Sequence, residues 1–271
     1  MSWNFMDPAS RGNIDRVWRR ESGQMLALAA DPDVWEAPTG AGHWQVRDVI
    51  GHLVDTTEAY FTSFDAARGR GTAPDPLGLA DMAKYVDEGA RALSRTVPQQ
   101  ELLDRLRAAR ERMLGIAAEL TDEEWAGLMV PHKYMGPIPA AFYPIFQVVD
   151  YTVHSWDIRE GTGRNHGLEA EAADLLVPLC FGLWQFTCDV SGVEPFTVGI
   201  RITSGANAGD SHAAVTTEGL TFTPGGVDQL DNVIEFDAAS FVLTAYGRTN
   251  AGTYRGDRTA LERFCNLFFR I

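Results

Sequence analysis

Cysteine is scarce in this chain. Cys180, Cys188 and Cys265 are the only three among 271 residues, and no two form a Cys-x-x-Cys pair. That excludes a disulfide framework and points to buried thiols in a reducing cytosol. Basic residues are also in deficit, 23 Lys and Arg against 37 Asp and Glu, for a net charge of −14. Nucleic-acid phosphates and anionic membrane surfaces both need clustered cations, so neither is an expected partner. No apolar run approaches the roughly 20 residues of a membrane span. The first residues lack the basic-then-apolar pattern of a signal peptide, so a cytoplasmic protein is expected. Internal repeats, low-complexity tracts and phosphate-binding loops are missing too; Gly161-Thr-Gly163 reads as a helix stop.

What is present is a large apolar fraction, 45% of residues, with only 22% charged. A chain of this length and composition makes one large domain or two ordinary ones. The first two thirds read as helices. One starts near Asp7-Pro8 and ends at Asp31-Pro32, because the residue before Pro resists helical dihedrals. A Gly- and Pro-rich loop follows at 37–42. From Trp44, the residues Val46, Val49, Ile50, Leu53, Val54 and Thr57 recur at helical spacing and leave His52 on the flank of their stripe. Further helices are expected over 81–94, from Pro98 to Leu114, after the capping box Thr121–Glu124, over 140–160 and over 168–189. Pro131 to Pro139, with three prolines, reads as a loop. After Val190 the texture changes. Strands are expected over 196–202, 214–217, 220–222 and 232–236, with short helices over 237–246 and from 256 onward. The expected fold is therefore α+β in two domains, a helical bundle over 1–189 and a small α+β domain over 190–271.

The helix 140–160 carries the chemistry. With Asp150 at 0°, His154 falls at about 40°, Asp157 at about −20° and Phe146 at about −40°. Three titratable groups thus share one face of an otherwise apolar helix. An unpaired buried carboxylate costs several kcal/mol, so something must compensate. A divalent cation held by His52, Asp150 and His154 does so, as a facial ligand set with open positions. Hydrogen bonding among Asp150, His154, Asp157 and nearby arginines is the alternative. Asp157 and Asp55, each one turn from a ligand, are candidates for orienting it, with an ion pair from Asp157 to Arg159 or to an Arg of a neighbouring helix as the other reading. Trp44 and Trp156 read as core. His132 and Tyr134 read as exposed loop residues, and His43, His166 and His212 as structural.

The residues flanking the ligands resemble the mycothiol-dependent maleylpyruvate isomerase family, a branch of the DinB-like metal-binding four-helix bundles. The first matching stretch is Trp35-Glu-Ala-Pro38-Thr39, with Trp44-Gln-Val-Arg-Asp48-Val-Ile-Gly-His52-Leu53. The second is Met135-Gly-Pro, with Asp150-Tyr-Thr-Val-His154-Ser-Trp-Asp157-Ile-Arg. The C-terminal part resembles the sterol-carrier-like domain appended to these bundles, with Gly247-Arg248 and Gly256-Asp257 as local markers. The resemblance implies His52, Asp150 and His154 as ligands of a divalent metal, usually zinc, and mycothiol as the thiol cosubstrate. The reaction implied is thiol addition, S-transfer or isomerisation on a small electrophile. The chain departs from the family pattern at one ligand, carrying Asp150 in place of Glu, one methylene shorter, which bears on the isomerase activity itself. A non-catalytic metal- and small-molecule-binding protein and a metal-dependent hydrolase are the other readings. A monomer or homodimer is expected.

Overall fold

The computed structural model describes residues 2–73, 75–164 and 167–268. The chain divides into two compact units, Met1–Leu168 and Glu169–Ile271. In the first unit, α1 (Arg11–Ala29), α2 (Val46–Ala67), α4 (Gln99–Glu119) and α6 (Phe142–Gly161) pack into a bundle, with α3 (Met82–Ser94) laid on α2. Each helix forms for a local reason. The apolar residues of α1, Ile14, Val17, Trp18 and Met25, recur at helical spacing and are buried. Asp48 closes a capping box at the start of α2 by accepting from the Gln45 amide at 3.0 Å, and its other oxygen accepts from Ser94 Oγ at 2.6 Å. Thr121 and Glu124 cap the short α5 (Asp122–Gly127) reciprocally, as the sequence indicates.

Helices α2 and α3 approach closely because Gly51 has no side chain. A Cβ there would lie 2.4 Å from the carbonyl oxygen of Ala90. Helix α6 is buried almost all round, from Tyr143 to Ile158. Among the described residues, no helix is long and apolar enough to cross a membrane.

The segment expected as a proline-rich loop is instead a hairpin. β1 (Met129–His132) pairs antiparallel with β2 (Gly136–Pro139), Val130 opposite Ile138 and His132 opposite Gly136. Proline is compatible with a strand that has an open edge, and a two-stranded sheet has nothing but edges.

The second unit holds a five-stranded sheet in the order β5-β4-β3-β6-β7. Its strands are β3 (Phe196–Ile202), β4 (Gly209–Thr216), β5 (Gly219–Pro224), β6 (Val233–Phe236) and β7 (Thr253–Arg255). The β3–β6 pair is parallel, with Ile200 opposite Ile234; the other pairs are antiparallel. Helices α7 (Ala170–Thr187), α8 (Ala238–Ala245) and α9 (Arg258–Cys265) complete the unit. The apolar pattern of 168–189 suggests one more bundle helix, whereas in the structure α7 belongs to the sheet unit. Its Trp184 packs on Phe241, Phe264 and Phe236, and its Asp174 carboxylate accepts from the amides of Ala206 and Asn207 at 2.8 and 2.9 Å. The Gly256-Asp257 marker has a plain role: Asp257 caps α9 by accepting from the Thr259 amide.

Candidate metal centre

His52 comes from α2, and Asp150 and His154 from one face of α6. Their donor atoms lie within 4.8 Å of one another, and His52 Nε2 is 3.8 Å from Asp150 Oδ1. The 3.8 Å gap is too long for a hydrogen bond. Cation bonds of about 2.0–2.2 Å set neighbouring donors roughly 3 Å apart, so the three side chains would have to close in slightly to share one ion. Both imidazoles are fixed at Nδ1. His52 Nδ1 is 3.2 Å from Thr56 Oγ1, one turn along α2. His154 Nδ1 is 2.8 Å from Asp157 Oδ2, and Asp157 is fully buried. A histidine held at one nitrogen by a carboxylate presents the other nitrogen as ligand. Asp157 therefore sits where an orienting residue belongs. Arg159, its alternative partner in the sequence reading, donates to Gln24 at 3.1 Å. Among the described residues, the candidate group consists of these three ligands.

Asp55 is placed differently. Its carboxylate faces Gly89 of α3, where a Cβ would lie 2.5 Å from Oδ2, and among the described residues it makes no hydrogen bond to His52.

Trp44 is half-buried rather than core. Its ring lies 5.3 Å from that of His52 and 5.9 Å from that of His154. The indole Nε1 donates to Asp87 Oδ1 of α3 at 2.8 Å. The same oxygen accepts from Arg91 at 2.9 Å and lies 2.8 Å from His43 Nε2, so His43 has a partner that the sequence did not reveal. Burial raises the Asp87 carboxyl, but the bonds from Trp44, His43 and Arg91 outweigh it and hold the group below its ordinary value. Neither Thr56 nor Asp87 stood out in the sequence. Thr56 had the signal of an i+4 position; Asp87 had none. His212 Nε2 lies 2.9 Å from the Gly226 carbonyl oxygen, and His166 is outside the described residues.

His132 is buried, not exposed. Its ring packs among Tyr60, Tyr134, Tyr143 and Phe146, the last one turn before Asp150. Its Nδ1 accepts from the amides of Tyr134 and Met135 at 3.4 and 3.3 Å. Burial drives its pKa down to about 4, against a smaller upward pull from Asp150. Tyr134 is buried too, and burial, with Asp55 and Tyr85 adding to it, raises its hydroxyl to about 12.

The sequence profile of the mycothiol maleylpyruvate isomerase N-terminal domain matches residues 18–159, more than half of the chain. The chain belongs to that family. The matched span contains all three candidate ligands of this isomerase-family protein, and Asp157 with them. In fold it is similar to two crystal structures of the mycothiol-dependent maleylpyruvate isomerase, one of them a histidine-to-alanine mutant. Each aligns with a TM-score of 0.61 at 15% identity, covering 94% of this chain and 95% of that one. The structure of the colibactin self-resistance protein ClbS in complex with a dsDNA aligns at a TM-score of 0.49 and 12% identity, over 59% of this chain and 99% of that one. That similarity is too slight to bear on partners. No curated protein matches this family member in sequence.

Proposed function

We propose that this chain is a divalent-metal-dependent enzyme that uses mycothiol on a small electrophile, by thiol addition, S-transfer or isomerisation. The observation that carries the reading is the convergence of His52, Asp150 and His154 with both imidazoles tied at Nδ1. The donor set of two nitrogens and one carboxylate suits zinc. Three protein ligands leave a coordination position for a reactant, which favours catalysis over a purely structural metal. The cation would supply Lewis-acid chemistry, lowering the pKa of a thiol bound to it. The protein's own residues do the rest. Asp157 holds the His154 ring, Thr56 holds that of His52, and the indole of Trp44 covers one flank of the pair. Family membership supports mycothiol as the thiol, and Asp150 in place of Glu leaves the reaction class broader than maleylpyruvate isomerisation.

Purified protein is expected to carry about one equivalent of divalent metal by elemental analysis. His52→Ala is expected to lose it, and full retention in that variant would remove His52 from the site. Thermal stabilisation of the loaded protein by mycothiol but not by glutathione is the expected thiol response. Equal stabilisation by both, or by neither, would count against mycothiol as cosubstrate.

A further inference from the structure

We infer that Asp87 is a positioning residue for this centre, acting through Trp44 to hold the His52 and His154 imidazoles in their ligand orientation. Trp44 is fastened from two sides. Its carbonyl oxygen accepts from the Thr39 amide at 3.1 Å and from Thr39 Oγ1 at 2.8 Å. The next residue, Gly40, donates its amide to the Asp157 carbonyl oxygen at 2.8 Å, which anchors the loop to the ligand helix. Gly40 can approach so closely because a Cβ there would already stand 3.1 Å from Asp157 Oδ1. The side chain is fastened from the opposite side, by Asp87 on α3. The indole therefore bridges α6 and α3 and lies against both imidazoles.

That arrangement matters because a hydrogen bond at Nδ1 sets the orientation of each ring but leaves it room to librate about the broad χ2 torsion. An aromatic wall against both rings removes that freedom. The apolar shell around a metal site also controls which flank solvent and reactants use. Here the Trp44 indole supplies part of that shell, beside both imidazoles. Asp87 is well suited to hold the wall, since one carboxylate oxygen gathers the Trp44, His43 and Arg91 donors and stays ionised.

The experiment uses the full chain with Asp87→Ala, Asp87→Asn and Trp44→Phe. Two quantities are read: the His52 and His154 ring-proton shifts in metal-free protein by NMR, and Co²⁺ affinity by competition with a chelator. The second readout rests on the metal reading above; the first does not. Asp87→Ala is expected to move both sets of ring-proton shifts, as the indole ring current changes, and to weaken Co²⁺ binding about 10-fold. Trp44→Phe, which lacks the indole N–H, is expected to do the same. Asp87→Asn keeps an acceptor for that N–H and is expected to stay near wild type in both. Wild-type ring shifts and wild-type affinity in Asp87→Ala would overturn the proposal. Ring shifts that respond in a protein that binds no Co²⁺ would support the positioning role and overturn the metal reading instead.

Discussion

His132 stays neutral because four aromatic rings surround it and two backbone amides already donate to its Nδ1. The unfolded chain has no such restriction, so its imidazole takes up a proton near the usual 6.5, while the folded one waits until about 4. Between those values the unfolded state binds the extra proton. Stability is therefore fully present above about pH 6.5 and is lost as pH falls toward about 4. At 1.36 kcal/mol per unit, the loss is at most about 3 kcal/mol. His132→Gln keeps an acceptor for the amides and removes the titration. Denaturant unfolding of metal-free protein from pH 7 to pH 4.5 is expected to show a shallower decline in that variant. Every other group is common to both proteins and cancels in the comparison. Parallel declines would show that His132 is not held neutral by the fold.

Between α2 and α3, a single missing methyl group decides whether the helices fit. Gly51→Ala is expected to destabilise by about 1–3 kcal/mol, since its Cβ would meet the Ala90 carbonyl at 2.4 Å and two packed backbones must part. Gly23 in α1 has nothing within 4 Å of its Cβ position, so Gly23→Ala is expected to stabilise by about 0.5–1 kcal/mol through helix propensity alone. Melting curves of the two variants, moving in opposite directions, check the assignment; a stabilised Gly51→Ala would mean that the α2–α3 contact is looser. Such elements differ in how legible they are from sequence. The 3.6-residue stripes of α1 and α2 announce themselves, and so does the polar face of α6, because an Asp and a His among apolar neighbours demand a partner. The hairpin hides because its prolines look like chain breakers, and with it hides the burial of His132. Asp87 hides because its bond to Trp44 spans 43 residues, and no periodicity marks a contact between a loop and another helix.

At the scale of the whole molecule, the sequence change near Val190 is a change of secondary structure, not of folding unit. Helix α7 looks like one more bundle helix, apolar and of ordinary length. What it buries is the aromatic core of the sheet unit, where Trp184 meets Phe241 at 4.9 Å and Phe264 at 5.5 Å. Its Asp174 also closes the turn between β3 and β4 by accepting from two amides. Losing one buried Trp costs about 3–5 kcal/mol, and whole domains are stable by only about 5–15 kcal/mol. Removing α7 takes away Leu175, Leu176, Cys180 and Trp184 together, all buried. A fragment of residues 167–271 is therefore expected to fold alone, giving dispersed amide resonances and a cooperative thermal transition. A fragment starting at residue 190 is expected to show neither. A folded spectrum from the shorter fragment would return α7 to the helical unit and move the boundary back to where the texture of the sequence changes.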